Sequence, residues 1–267
     1  MLRRALQLGL FCSLFLGLPA SAARWQVDEC GHGAAVSQPP RYTLVIIIDD
    51  IGNQLGAGRS AVELPGRLNY AVLPHTPHGP ALAELAHRRG KEVLLHQPMS
   101  NLAHKPLGRG GLTPELPRER FDSVLQAAIA SVPHARGLNN HMGSDLTRRR
   151  PQMEWLMAEL ADRQLYFVDS RTDKGTVAAT VAGETRVPHL SRQVFLDNQR
   201  NPEAIAERFA HFTRLARERG TAVAIGHPYP ETIAFLQQAL PSLASGPYRL
   251  ALVSEVLASG HVETNKP

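Results

Sequence analysis

The chain has 267 residues, a formal net charge of +5 and only two cysteines. This length suits one α/β barrel or one open α/β sheet and is too short for two large domains. The basic residues form no long runs and are not interleaved with aromatic residues, which argues against a nucleic-acid-binding protein.

The N-terminal segment has the features of a secretory signal peptide. Two arginines in Met1–Arg4 precede the apolar run Ala5–Gly17, and the small residues Ala20–Ala22 offer a cleavage site. The apolar run is shorter than the roughly 20 residues of a membrane-spanning helix, and an uncleaved anchor is the alternative. We therefore predict a signal peptide at residues 1–22 and a periplasmic or secreted mature protein with no integral membrane span. Only Cys30 would remain after cleavage, so no intramolecular disulfide is expected.

The remaining chain alternates short apolar runs with amphipathic segments. The first run, Tyr42–Ile48, is typical of a central strand of a parallel sheet. Further strands are predicted at Leu68–Leu73, Glu92–His96, Gly137–His141, Leu165–Asp169, Val194–Asp197, Ala222–Gly226 and Leu250–Val253. Helices are predicted at Pro80–Arg89, Pro117–Ser131, Pro151–Arg163, Pro202–Arg219 and Pro230–Ala239. This alternation predicts a parallel sheet with helical cover, and at this length we expect closure into a barrel.

Four parts of the chain are predicted to differ in structure. The signal peptide is followed by a flexible lead at residues 23–41, which contains Gly and Pro but no periodicity. The barrel is expected to span residues 42–258, with a C-terminal tail at 259–267. Within the barrel, the Pro/Gly-rich stretch 103–117 is long for a connection between a strand and a helix, and such loops often shape a binding site.

Five predicted strands end in residues that bind metals or transfer protons. The C-terminal ends of parallel strands face one crevice, so side chains distant in sequence meet there. Asp and His are costly at a buried strand end unless another group pairs with them. We therefore expect one site that contains Asp49, Asp50, His96, His141, Asp169 and His227.

Structural explanations exist for each residue taken alone. An Asp after a strand can cap the next helix, and a lone His is more often a hydrogen-bonded structural residue than a metal ligand. As a set, however, His96 and His141 supply imidazoles suited to Zn²⁺ or a similar divalent ion. One carboxylate would complete three protein ligands and leave a position for water. The two adjacent carboxylates, Asp49 and Asp50, need not have the same role.

Other polar residues near the predicted strand ends have open interpretations. His75 and His78 lie on a predicted loop that can reach the crevice, but a surface position is the simpler interpretation. Arg192 and Asp197 flank an apolar segment. Two interpretations are open for them: a charge pair next to the site, or an ion pair with a purely structural role.

The motifs resemble the divergent polysaccharide deacetylase family, a branch of the NodB-like carbohydrate deacetylases. The similarity runs from Tyr42 to Leu257, and Asn139–Ser144, with the sequence Asn-Asn-His-Met-Gly-Ser, is its most specific part. The other matching segments are Ile48–Gly52, His96–Met99, Phe167–Ser170 and Gly226–Pro228. The resemblance implies an irregular (β/α) barrel of about seven parallel strands, a bound divalent metal and hydrolysis of an N- or O-acyl group.

The resemblance also implies roles for individual residues. Asp49 would be the general base, Asp50 a metal ligand and His227 the general acid. In the mechanism that we expect, Asp169 orients His227. The better-studied carbohydrate deacetylases carry two metal-binding histidines four residues apart, whereas this chain has Ser100 four residues after His96. We therefore predict Asp50, His96 and His141 as the ligands of a divalent ion, with Zn²⁺ as the expected metal.

These inferences lead to one functional hypothesis and two alternatives. The hypothesis is an exported metal-dependent deacylase that acts on a carbohydrate of the cell envelope. A catalytically inactive envelope protein that binds a glycan or a protein in the retained crevice is the first alternative. A glycosidase is the second, with Asp169 as the additional carboxylate that cleavage of a glycosidic bond requires.

Overall fold

The computed structural model describes residues 41–243 and 245–259. The predicted signal peptide lies outside the described residues, as do the predicted lead before Arg41 and the predicted tail beyond Ser259. Within the described ranges, no helix is both long enough and apolar enough to cross a membrane.

The described strands form one parallel sheet with helical cover, which confirms the predicted irregular (β/α) barrel. The strands are β1 (Tyr42–Ile51), β2 (Asn69–Val72), β3 (Glu92–Met99), β4 (Ala135–Met142), β5 (Tyr166–Asp169), β6 (His189–Ser191), β7 (Val194–Phe195), β8 (Thr221–Gly226) and β9 (Tyr248–Leu250). Their order is β6-β5-β4-β3-β2-β1-β8-β7, and β9 pairs with the start of β1. β6 and β7 therefore lie at opposite ends of an incomplete barrel.

Eight α-helices connect these strands in the described chain. They are α1 (Leu55–Val62), α2 (Gly79–Arg88), α3 (Arg118–Ala130), α4 (Arg150–Asp162), α5 (Ala178–Glu184), α6 (Pro202–Arg219), α7 (Pro230–Leu243) and α8 (Val253–Ala258). α6 has the most complete cap, because the side chain of Asn201 accepts a hydrogen bond from the backbone N–H of Ala204 and Gly220 ends the helix with φ 81°.

The sheet has an apolar cluster on each face, which explains the unbroken apolar run of β1. Leu44, Ile46 and Ile48 pack into a large cluster with residues of the surrounding helices. Val45 and Ile47 pack into a second cluster, built from the other face of the strands and from α8. Since neighbouring residues of a strand point to opposite faces, a strand covered on both sides has no polar alternation.

The structure differs from the predicted elements in several short segments. α1, α5 and β6 were not predicted; α1 contains Gly56 and Gly58, which lower helix propensity, and β6 has only three residues. The strand predicted at Leu250–Val253 is wrong beyond Leu250, because Val253 begins α8. There the Val253 N–H donates to the side chain of Asn69 and not to a neighbouring strand.

Candidate active site

Asp49 and Asp50 lie at the C-terminal end of β1, where the strand becomes irregular. Asp50 has φ 57°, and the register with β2 shifts between Ile48 and Ile51. A left-handed conformation is unfavourable for a residue other than glycine and is often found at functional sites. The irregularity allows two adjacent carboxylates, which a regular strand would point to opposite faces, to approach the same histidine.

Two neighbouring strands supply the imidazoles. β3 and β4 pair in register with His96 beside Asn139 and Pro98 beside His141. His96 therefore faces Asn139 directly, and His141 lies two residues further along β4 on the same face. β3 continues three residues beyond His96, to Met99, so this histidine lies within the strand and not at its end.

Three potential ligand atoms converge in the resulting cluster, formed by Asp50, His96 and His141. Asp50 Oδ1 lies 3.2 Å from His96 Nε2 and 2.9 Å from His141 Nδ1. The two imidazole nitrogens are 3.1 Å apart. These separations are close to the roughly 3.3 Å between two ligands that each lie about 2.0 Å from a tetrahedral ion.

Asn139 determines which nitrogen of His96 is available to a metal. Its Nδ2 donates to Asp49 Oδ1 at 2.8 Å and to Ser170 Oγ at 3.3 Å, so its Oδ1 must face His96 Nδ1. At 2.8 Å, Nδ1–H of His96 donates to that oxygen, which leaves the lone pair of Nε2 directed into the cluster. Asp50 Oδ1 is buried and accepts no well-directed hydrogen bond within the described chain. The residues therefore fit a divalent cation.

Burial and charge shift the pKa values of this cluster in different directions. Burial raises the pKa of Asp49, although the nearby His96 and His227 oppose this. Burial also raises the pKa of Asp50, but the close approach of the His141 and His96 imidazoles outweighs burial and holds that pKa well below its usual range. Burial lowers the pKa of His96, but Asp49 and Asp50 outweigh burial and raise it. The cluster thus concentrates negative charge around the two histidines.

His227 follows β8 and is fixed by Asp197. Its backbone N–H donates to Asp197 Oδ2 at 2.6 Å, and its Nδ1 lies 2.9 Å from Asp197 Oδ1. Asp197 also accepts a hydrogen bond from Thr232 Oγ1 at 2.8 Å. Burial lowers the pKa of His227, but the hydrogen bond and the charge of Asp197 outweigh it and raise that pKa to about 9. His227 is therefore protonated at neutral pH.

The prediction that Asp169 orients His227 is wrong, because Asp197 occupies that position. Asp169 is buried and instead accepts hydrogen bonds from the Arg171 N–H at 2.8 Å and from Thr176 Oγ1 at 3.0 Å. These contacts stabilise the loop after β5. The possible pair of Arg192 with Asp197 is also not formed, since the Arg192 guanidinium donates to backbone carbonyls after β5.

His227 belongs to a column of stacked side chains. Its ring stacks between Phe195, at a centroid distance of 6.2 Å, and Tyr229, at 5.2 Å. The guanidinium of Arg192 lies 3.8 Å from the Phe195 centroid, and that of Arg200 lies 3.9 Å from the Tyr229 centroid. Cation–π contacts thus accompany the two rings that pack on the imidazole, and the hydrogen bonds to Asp197 fix the position of His227 itself.

A cleft of about 780 Å³ opens next to the candidate metal site, and Asp50 and His141 contribute to its lining. The long stretch 103–117 supplies one wall through Pro106–Arg109. His75 also lines the cleft, whereas His78 does not and lies at the start of α2.

The structure thus brings five of the six predicted site residues to one region, and Asp169 points elsewhere. Asn139 and Asp197 also belong to this region and are not among the six predicted residues. Asn139 could have been found from its position two residues before His141, since alternate residues of a strand share a face.

The parallel half-barrel and its polar cluster define a protein with the NodB-like carbohydrate deacetylase fold. A family model described as divergent polysaccharide deacetylase matches residues 46–257, and the chain belongs to this family. It is 38% identical over 224 residues to the uncharacterized protein YibQ of Escherichia coli K12, a match that covers 84% of this chain and 70% of the relative.

Two solved structures resemble this fold at low sequence identity. The uncharacterized protein ATU2773 from Agrobacterium tumefaciens C58 superimposes with a TM-score of 0.79 at 19% identity, over 82% of this chain and 91% of that chain. BA3943, a CE4 family pseudoenzyme from Bacillus anthracis, superimposes with a TM-score of 0.53 at 11% identity, over 82% of this chain and 66% of that chain. At these identities the similarity concerns the fold alone.

Proposed function

We propose that this chain is an exported metal-dependent hydrolase that removes an acyl group, such as acetyl, from a carbohydrate of the cell envelope. The convergence of Asp50, His96 and His141 beside the buried carboxylate of Asp49 carries the proposal. Family membership supports a carbohydrate as the substrate. The predicted N-terminal signal peptide motivates the assignment to the envelope.

The cluster would hold one divalent ion, and the two imidazoles with one carboxylate favour Zn²⁺. When bound, such an ion supplies Lewis acidity that polarises the acyl carbonyl and acidifies the attacking water. Asp49 Oδ2 lies 3.5 Å from His96 Nε2, at the edge of the cluster. Because Asn139 donates to the other oxygen of Asp49, Oδ2 is available to accept the proton of the water.

His227 is suited to the opposite proton transfer. Asp197 accepts a hydrogen bond from the Nδ1–H of His227, so Nε2 of the imidazolium is the atom that can donate a proton. As the new C–O bond forms and the bond from the acyl carbon to the sugar nitrogen or oxygen breaks, His227 would protonate the departing amine or alkoxide. The products are a carboxylic acid and the deacylated sugar.

Acyl release by the purified protein tests this proposal. The Zn²⁺-loaded mature chain would be incubated with N- and O-acetylated oligosaccharides, and both released acetate and shortened sugars would be measured. We expect acetate without chain cleavage, and Asp49→Asn should reduce turnover by about 10³-fold or more while the metal stays bound. Shortened sugars would instead support the glycosidase alternative.

The metal content of Asp49→Asn separates the possible failures. Loss of the metal in this variant would contradict the division of roles between Asp49 and Asp50. Fully loaded wild-type protein that releases no acetate from any substrate would favour the alternative of a non-catalytic binder.

A further inference from the structure

The charged side chains in the cleft beside the metal cluster are predominantly cationic. Apart from Asp50, which belongs to the cluster, the ionised groups among the described lining residues are Arg109 and Arg200. A cleft lined by charges of one sign concentrates ligands of the opposite sign.

Arg109 lies on the wall formed by the long loop, and it makes no hydrogen bond or ion pair with the described part of the chain. The carbonyl of the next residue, Gly110, accepts a hydrogen bond from Gln97 Nε2 at 2.6 Å, and Gly110 packs so closely on His75 that an added Cβ would lie 3.2 Å from the His75 ring. The backbone at Arg109 is therefore held in place while its guanidinium is available to a ligand.

Arg200 lies in the connection between β7 and α6, and it also lines the cleft. Its guanidinium lies over Tyr229, and its Nη2 is 3.6 Å from Glu231 Oε2, which is too far for a hydrogen bond. Glu231 Oε2 accepts no hydrogen bond from the described chain. The stacked guanidinium therefore keeps N–H groups that can bind an oxyanion in a bidentate manner.

The two cleft arginines differ from many arginines on the surface of this basic protein. Arg88, Arg118 and Arg163 each pair with a carboxylate four residues away on the same helix. Such pairs neutralise the helix surfaces, whereas Arg109 has no carboxylate partner in the described chain and Arg200 has only the 3.6 Å contact with Glu231. The net charge of the chain alone does not explain this difference.

We propose that the carbohydrate bound in this cleft is anionic, and that Arg109 and Arg200 bind carboxylate or phosphate groups on the sugars that flank the acylated one. This inference rests on the proposed function, because it names the substrate class of the same site. The two arginines determine specificity and take no part in the proton transfers.

The test compares N-acetylated oligosaccharides of equal length that differ in charge. The first carries a lactyl carboxylate on alternate sugars, and the second is the uncharged methyl ester of the first. The third has no carboxylate but carries an anionic phosphate ester on one flanking sugar. We expect kcat/KM for the better charged substrate to exceed that for the methyl ester by about 100-fold. Comparison of the first and third substrates identifies the carboxylate or the phosphate as the preferred group.

Two cleft variants and one control variant complete the test. Arg109→Gln and Arg200→Gln should each reduce the charge preference about tenfold. Arg120→Gln, an exposed change on α3 outside the cleft lining, should leave it unchanged. Equal kcat/KM for the charged and neutral substrates would overturn the inference and leave the proposed function intact.

Binding measurements keep the inference testable if no oligosaccharide is deacetylated, in which case the proposed function fails. Calorimetric titration of wild-type protein with the same substrates would then show tighter binding of a charged one, with the preference reduced in both cleft variants. Equal affinity for the charged substrates and the methyl ester would overturn the inference on its own.

Discussion

Replacement of Asp197 by Asn should change the protonation of His227 at neutral pH. Burial lowers the pKa of His227, and the hydrogen bond and charge of Asp197 raise it to about 9. Without that charge only Asp49 and Asp50 oppose the effect of burial, and the pKa should fall from about 9 towards the ordinary value of 6.5. At about 1.36 kcal/mol per pKa unit, the difference between 9 and 6.5 corresponds to about 3 kcal/mol of preference for the imidazolium.

NMR titration of the metal-free protein measures this change directly. The Cε1–H signal of His227, assigned by its absence in His227→Gln, should titrate with a midpoint near 9 in the wild type. The midpoint should move from about 9 towards 6.5 in Asp197→Asn. Asp169→Asn is the matched control, because Asp169 is also a buried carboxylate but makes no hydrogen bond to His227. An unchanged midpoint in Asp197→Asn would refute the reasoning.

The same linkage predicts a pH dependence of stability. His227 binds its proton more tightly in the folded chain than in the unfolded chain. Its contribution is therefore fully present below about pH 6.5 and is lost as the pH rises through about 9. The free energy of unfolding of the metal-free wild type, measured by urea denaturation, should decrease across this interval. Asp197→Asn should lack this decrease, and an equal slope in both proteins would contradict the assignment.

Two further predictions concern the metal cluster. His96→Ala and His141→Ala should each abolish stoichiometric binding of Zn²⁺, measured by elemental analysis, because each removes one of three protein ligands. His104→Ala changes an exposed histidine and is the control. Full metal content in both site variants would exclude this cluster as the metal site. Asn139→Leu should weaken Zn²⁺ affinity about 10- to 100-fold in competition with a chromogenic chelator, because His96 loses the acceptor that fixes its tautomer. An unchanged affinity would show that Asn139 does not orient the ligand.

The elements that could be predicted from the sequence are those with a strong local signal. The apolar run of β1 and the proline-initiated helices such as α6 lie where the pattern predicts them. The short strand β6 has no comparable pattern, because three residues do not establish a period. The irregularity at Asp50 depends on pairing with β2, and its position is therefore not determined by β1 alone.

The different positions of Asp169 and Asp197 follow from the alternation of side chains along a strand. In β5, Phe167 packs into the helix-facing cluster and Val168 into the opposite one, so Asp169 shares the helix-facing side of Phe167.

In β7 and the residues after it the phase is reversed. Val194 and Leu196 belong to the helix-facing cluster and Phe195 packs against the other, so Asp197 shares the side of Phe195. The same alternation places His227 with Val223 and Ile225 on that side. The position of a strand end identifies the edge of the sheet, but only the phase of the alternation identifies the face. Asp197 and His227 share both the edge and the face, and this is why Asp197 and not Asp169 reaches His227.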